Sequence, residues 1–174
     1  MRRTGTTRRG ALTATGAIAM GAILSGCGGS GDGEGSARAG APTAAEIARA
    51  VRTERRLRAS AARTSMELLA RYEHVISAHP ATAAGLAPLR NAVRDHVRTL
   101  APDGEPAPEV SRPGATGARA AVEDLAGAER RTADTHLAAL MEAPPELARL
   151  LASIAAAAAA HAYLLTDLAK ETSS

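Results

Sequence analysis

The sequence has very few of the side chains on which many binding and catalytic sites depend. Its 174 residues include no Trp, no Phe, two Tyr and a single Cys. Aromatic platforms of the kind that stack on bases or sugar rings are therefore missing. A single Cys allows neither an intramolecular disulfide nor a cysteine ligand set for a metal. The chain also has no glycine-rich phosphate loop and no Ser/His/Asp order typical of hydrolases.

The first 26 residues have the features of an export signal. Four arginines precede an apolar run over 11–24, and small residues follow it. A transmembrane helix needs about 20 apolar residues, so a permanent span is disfavoured here. The sequence LSGC, ending at Cys27, resembles a bacterial lipobox, in which the cysteine becomes the lipidated first residue; the alternative is an ordinary buried cysteine. Arg8 and Arg9 resemble a twin-arginine motif, which implies Tat export, although Sec signals also begin with arginines.

Removal of the signal changes the charge of the protein. The whole chain has a formal net charge of +3, but residues 1–26 contain four arginines and no acidic residue. The remaining chain has 17 of the 21 basic residues against 18 acidic ones, a net charge of −1. This gives no support to a nucleic-acid partner. We expect Cys27 and a Gly- and Ser-rich tether over 27–42 to hold a domain over 43–172 at the extracytoplasmic face of the cell membrane.

The remaining sequence predicts four helices and no strands. Alanine and leucine favour helix, and no segment shows sustained alternation of β-branched residues. Thr43 and Glu46 match a capping box at the start of the first helix, and Pro80 follows its end near Ala78. The other three helices are predicted over about 83–100, 117–143 and 144–171. The predicted apolar stripe of the first helix comprises Ile47, Val51, Leu57, Ala61, Leu68, Tyr72, Val75 and Ile76.

The lengths of the connections predict how the helices are arranged. Short connections join the first helix to the second and the third to the fourth, which makes each pair an antiparallel hairpin. Residues 101–116, with four prolines, separate the hairpins. Such a segment can span roughly 50 Å, enough to return along a helix of roughly 25 Å. The predicted fold class is an all-α, ferritin-like four-helix bundle; an up-down-up-down bundle with a long loop stays open.

Helical periodicity places several polar side chains on inner faces. In the last helix Leu147, Ile154, His161 and Leu168 recur every seven residues, so His161 is predicted to point inward. A membrane span is disfavoured for this helix, because it contains Arg149, Ser153 and His161. The other inward polar side chains on the remaining helices are Tyr72, His96, Glu129 and His136.

Three interpretations of these residues remain open. Imidazoles and carboxylates that converge in a bundle core can replace the water shell of a cation, which predicts His96, Glu129, His136 and His161 as metal ligands. A hydrogen-bonded polar cluster with Tyr72 as a partner is the preferred alternative, because buried polar groups in proteins are normally paired. The third interpretation is that the positions are unrelated.

The helix phrases LLARYEHVISAHP, LAPLR, AERRTADTHLAAL and APPELARLLASIAAAAAAHAYLL, together with the lipobox and the long second connection, resemble the ferritin-like lipoproteins of high-GC bacteria. This family is grouped with ferritin-like domains of unknown function, and the resemblance covers about 43–170. Di-iron members carry Glu-x-x-His on two helices. Here Val93, Ala133 and Ala158 stand three residues before the inward histidines. The resemblance therefore implies the fold without a complete di-iron site.

We therefore expect a lipid-anchored protein of the cell envelope with a structural or binding role and without enzymatic activity. No cofactor is expected. The alternative is a metal-binding or metal-dependent redox domain that uses iron, manganese or zinc. The membrane is the expected contact through the lipid, a protein partner or small ligand is not identified by the sequence, and a dimer is compatible with it.

Overall fold

A computed structural model describes residues 42–101 and 117–172. It contains four α-helices and one short 3₁₀ helix, Pro80–Thr82, between the first two. The α-helices are α1 (Ala44–Ala78), α2 (Ala83–Leu100), α3 (Ala118–Leu140) and α4 (Pro145–Glu171). No strand occurs in these two ranges, so the prediction of an all-α protein with four packed helices is confirmed for them. Arg8, Arg9, Cys27 and the tether up to residue 41 lie outside the described residues.

The helix ends follow local sequence signals. Thr43 and Glu46 form the predicted capping box: the backbone N–H of Thr43 donates to Oε2 of Glu46 at 2.7 Å, and the backbone N–H of Glu46 donates to Oγ1 of Thr43 at 3.3 Å. The third helix ends at Leu140, three residues earlier than the predicted end at Ala143. Ala143 precedes Pro144, whose ring disfavours a helical conformation in the residue before it.

Contacts between helices fix the directions of α1 and α2. Arg58 Nη1 lies 3.5 Å from the backbone oxygen of Thr99 at the end of α2. Further along α1, Glu73 forms an ion pair of 3.2 Å with Arg94, which lies earlier in α2. Because contacts advance along one helix as they recede along the other, α1 and α2 are antiparallel.

The same reasoning applies to the second pair of helices. Ser65 and Tyr72 of α1 contact His136 and Glu129 of α3, respectively, so α1 and α3 are antiparallel. A short connection joins α3 to α4, and Glu129 contacts His161, so this pair is antiparallel too. Consequently α2 and α3 run in the same direction, opposite to α1 and α4.

The apolar core is divided along the bundle into two large clusters and one small one. One large cluster is built around the fully buried Leu86, Val122 and Leu165. The other is built around Leu100, Leu147 and Leu151 at the opposite end. The small cluster consists of three alanines from α3 and α4, namely Ala133, Ala155 and Ala158. Polar side chains from all four helices meet between the ends of the bundle.

The predicted apolar stripe of α1 is wrong at its start. Ile47 and Val51 are 52% and 49% exposed. The reason is the difference in length between α1 and α2. The contact of Arg58 with Thr99 shows that α2 ends opposite the fourth turn of α1. The earlier turns therefore have no residue of α2 against which to pack, although their pattern continues the inner stripe.

Among the described residues, α4 is the one helix long and apolar enough to cross a membrane by length and composition. Its inward side chains, such as Leu151 and Leu165, are fully buried in the bundle. A core helix of a four-helix domain has the same length and hydropathy, and α4 occupies such a position here.

Candidate functional site

The centre of the candidate site is the carboxylate of Glu129 on α3, which is completely buried. The hydroxyl of Tyr72 on α1 donates a hydrogen bond of 2.6 Å to its Oε1 atom. Nδ1 of His161 on α4 lies 3.0 Å from the same oxygen. One carboxylate oxygen therefore connects three helices. The inward positions predicted for these three side chains are confirmed.

A second polar contact lies two helical turns further along α3. His136 is completely buried, and its Nε2 atom lies 3.3 Å from Oγ of Ser65 on α1. Ser65 is not among the polar residues predicted from the sequence. Its position seven residues before Tyr72 is the signal that could have predicted it, because this spacing places both side chains on one stripe of α1.

The fourth helix contributes His96 of α2. Its ring stacks on that of His161 with a centroid distance of 6.4 Å and an interplanar angle of 16°. His96 is half-buried, in agreement with its predicted place beside the apolar face. Tyr72, Glu129, His161 and His96 thus form one connected set. His136 contacts Ser65 and lies close enough to His96 for the charge of that ring to affect its pKa.

Burial controls the protonation of this region. Burial, together with a smaller effect of the nearby His96, lowers the pKa of His136 from 6.5 to about 4. The pKa of His96 is also lowered, first by burial and then by His161, against the opposing effect of Glu129 and Asp95. Burial and the charge of Glu129 raise the pKa of Tyr72. At neutral pH the Tyr72 hydroxyl is therefore a donor, and the His136 ring is neutral.

Two buried atoms of the site have no hydrogen-bond partner within the described part of the chain. These are Oε2 of Glu129 and Nδ1 of His136. A buried polar atom without a partner is costly, so Oε2 of Glu129 favours an additional donor or a cation, and Nδ1 of His136 favours a hydrogen-bond partner. Oε2 of Glu129 is suited to contact a cation because it is a carboxylate oxygen, and Nδ1 of His136 is suited to it in the tautomer that carries the ring proton on Nε2.

The complete set does not have the arrangement of a metal centre. Within residues 42–101 and 117–172, no group of three or more His, Cys, Asp or Glu side chains is placed to hold a metal ion. The positions at which Glu-x-x-His motifs would supply carboxylates are apolar and buried: Val93 is 1% exposed, Ala133 6% and Ala158 2%. The described residues therefore do not fit a di-iron centre.

Two surface grooves lie near the network. The groove between α1 and α3 has a volume of about 180 Å³ and is lined by polar side chains that include Arg71 and Arg131. The groove along α3 and α4 has a volume of about 640 Å³ and is lined mainly by alanines. Glu129, His136 and His161 line neither groove. The network is thus enclosed by the helices on these two sides.

The fold and the site together define a class of protein: an all-α four-helix domain with a hydrogen-bonded tyrosine, carboxylate and histidine in its core. No protein-family model matches the chain, and no curated protein or solved structure matches it either.

Proposed function

We propose that the protein is a lipid-anchored, ferritin-like four-helix domain of the cell envelope with a structural or binding role and no enzymatic activity. The observation that supports this proposal is that the inward polar side chains form hydrogen-bond contacts with side chains of neighbouring helices. Tyr72 and His161 both contact Glu129, while His136 contacts Ser65. Polar groups engaged in this way connect helices and are not directed into an open cavity.

The helix directions support the ferritin-like part of the proposal. Helices α2 and α3 run in the same direction, whereas an up-down-up-down bundle would make them antiparallel. A parallel pair requires the chain between Leu100 and Ala118 to start and finish at opposite ends of the bundle. The four prolines and the length of this segment suit that requirement.

The polar network has a clear structural role in such a bundle. Many core positions of α3 and α4 are alanines, whose small side chains specify the axial register of neighbouring helices poorly. Sliding α1 along α3 would separate the Tyr72 hydroxyl from Glu129 and remove one of the two hydrogen-bond contacts of a buried carboxylate. Because that loss is costly, the network favours a single register.

Lipid anchoring is tested by Cys27→Ser in the native host. We expect this variant to lose labelling by a fatty-acid probe and to be released from the membrane fraction, because the thiol is the attachment point. Ser30→Ala, three residues further along, is the matched control and should keep both properties. Labelling retained by Cys27→Ser would contradict the proposal. The double variant Arg8→Lys and Arg9→Lys tests the Tat route. If export uses that route, the precursor of this variant should accumulate.

A second candidate, a metal-binding or metal-dependent redox domain, is favoured by one observation. Oε2 of Glu129 and Nδ1 of His136 are buried without a partner in the described residues. His96 and His161 would complete the candidate ligand set for iron, manganese or zinc. The test is metal content after the purified protein is exposed to each ion and dialysed.

We expect metal well below one equivalent, because no three of these side chains converge on one point. Stoichiometric binding that is lost when His136→Ala and His161→Ala are combined, but kept in His74→Ala, would favour the second candidate instead. Unfolding curves of both variants establish that they remain folded.

A further inference from the structure

The outward face of α4 lacks the charges that a solvated helix normally carries. No Asp, Glu, Lys or Arg occurs between Arg149 and Asp167. Within this interval Tyr163 is 68% exposed and Leu164 51%. We call the exposed uncharged side chains of this interval the outer stripe of α4: Ala152, Ser153, Ala156, Ala159, Ala160, Tyr163 and Leu164.

The outer stripe borders the groove of about 640 Å³ between α3 and α4. Leu137 of α3 is 49% exposed at this groove. Arg130 and Asp134 also line it, so its border contains one cation and one anion. A contiguous apolar surface with a mixed-charge border is typical of a contact between proteins.

The charges at the two ends of α4 are arranged symmetrically. Glu146 pairs with Arg149 at the start, where the side chains are 85% and 71% exposed. Asp167 pairs with Lys170 at the end, where they are 44% and 66% exposed. The midpoint between Arg149 and Asp167 is position 158, and the midpoint between Glu146 and Lys170 is the same position. Two antiparallel copies of α4 centred there would oppose unlike charges at both ends.

The side-chain sizes follow the same symmetry. In that register Tyr163 lies opposite Ser153 of the second copy, and Leu164 lies opposite Ala152. Large side chains thus meet small ones, as close packing requires. A parallel pair would bring Arg149 against its own copy and Tyr163 against its own copy. The sequence of α4 therefore suits an antiparallel pair and disfavours a parallel one.

We propose that the outer stripe of α4 is the interface of a homodimer in which two copies of α4 pack antiparallel about a two-fold axis at position 158. A two-fold interface uses the same surface on both subunits, and this surface is complementary to itself in charge and in size. The inference goes beyond the proposed function and does not depend on the lipid anchor. The span from Arg149 to Asp167 is about 27 Å of helix. This is a small contact, for which we expect a dissociation constant in the micromolar range.

Self-association is tested by sedimentation equilibrium of the full-length chain with Cys27→Ser, which removes the lipid. We expect a monomer–dimer equilibrium. Ala156→Glu, at the centre of the interface, should weaken it by about 10-fold or more, because a charge would be buried between the helices. Ala50→Glu, the same substitution at an exposed position of α1, should leave the dissociation constant of the dimer unchanged. A monomer at all concentrations, or equal effects of both variants, would overturn the proposal.

Cross-linking tests the register in the same Cys27→Ser background. In an antiparallel pair centred at position 158, position 159 lies about 3 Å along the axis from its own copy, whereas position 153 lies about 15 Å away. Ala159→Cys should therefore form a disulfide-linked dimer, and Ser153→Cys should not. A mixture of Ser153→Cys with Tyr163→Cys should cross-link. Equally efficient linkage of Ala159→Cys and Ser153→Cys alone would exclude this register.

Charge exchange provides an independent measurement. Arg149→Glu alone should weaken the dimer by about 10-fold, because two attractive contacts become repulsive. A chain that combines Glu146→Lys, Arg149→Glu, Asp167→Arg and Lys170→Glu should again associate with itself, but not with the parent chain. Free mixing of the exchanged and parent chains would contradict the proposed pairing of the helix ends. Thermal unfolding followed by circular dichroism confirms that each variant is folded.

Discussion

The two faces of α4 are built from the same small residue but have different surroundings. Ala155 and Ala158 face inward, are 2% exposed, and pack with Ala133 of α3. Ala156 and Ala159 face outward and are exposed. On the inner face alanine allows α3 to approach closely, so its small size is a packing requirement. On the outer face no described residue imposes such a limit. Composition alone therefore does not reveal why a position is alanine.

The two tyrosines show the same contrast. Tyr72 is fully buried and donates to Glu129, whereas Tyr163 is 68% exposed on the outer stripe of α4. The comparison of an inner and an outer position thus provides a matched control for each substitution in the core.

The largest difference between the faces is expected for adjacent leucines of α4. Leu165 is fully buried and Leu164 is 51% exposed. Leu165→Ala should lower the free energy of unfolding by about 2–5 kcal/mol, because it removes buried methyl groups and leaves a cavity. Leu164→Ala should change it by less than about 0.5 kcal/mol. Guanidinium denaturation of both variants measures the difference, and similar losses would show that the inner and outer faces are wrongly assigned.

Acid should lower the free energy of unfolding through the buried histidines. Because burial lowers the pKa of His136 from 6.5 in the unfolded chain to about 4, the unfolded state binds more protons between these values. The associated stability is fully present above pH 6.5 and is lost as the pH falls towards 4, by about 3 kcal/mol at most. His96, whose pKa is also lowered, adds to this slope.

The measurement is the free energy of unfolding from pH 7.5 to 4 for the parent and for His136→Asn. The variant should show a shallower acid slope, since it lacks the titrating ring. Identical slopes would mean that His136 titrates normally in the folded protein.

Adding volume should distinguish the two kinds of alanine. Ala158→Leu must fit a larger side chain between α3 and α4 and is expected to cost about 1–3 kcal/mol. Ala156→Leu, half a turn away and exposed, should leave the stability of the monomer within about 0.5 kcal/mol of the parent. Thermal unfolding at low protein concentration measures both changes. An unaffected Ala158→Leu variant would indicate unfilled space beside Ala133.

The smallest contrast is expected for the tyrosines. Tyr72→Phe removes the donor to Glu129 and should cost about 1–2 kcal/mol, because a buried carboxylate loses a hydrogen bond. Tyr163→Phe should have no measurable effect on the unfolding of the monomer, as its side chain is exposed. Urea denaturation is sufficient to compare them, and an equally small effect at Tyr72 would show that the network contributes little to stability.

Much of the helix pattern could be predicted because it depends on neighbouring residues. The capping box of Thr43 with Glu46 and the stop before Pro80 are local effects, and both were predicted correctly. Heptad spacing also placed Glu129 and His161 inward. The prediction that Ile47 and Val51 belong to the buried stripe of α1 was wrong. Periodicity indicates which residues share a face of a helix, but it does not indicate whether another helix packs against that face.

The sequence by itself determined the four helices, most of their ends and the face on which each inward polar residue lies, since capping, proline and periodicity act over a few residues. Only the tertiary structure decided which atoms meet. The hydrogen bond of Tyr72 with Glu129 joins residues 57 apart in the chain, and the contact of Ser65 with His136 joins residues 71 apart. These pairings depend on the axial register and rotation of whole helices against one another. Register and rotation are set by the packing of all the side chains between the helices, which no local segment of the sequence contains.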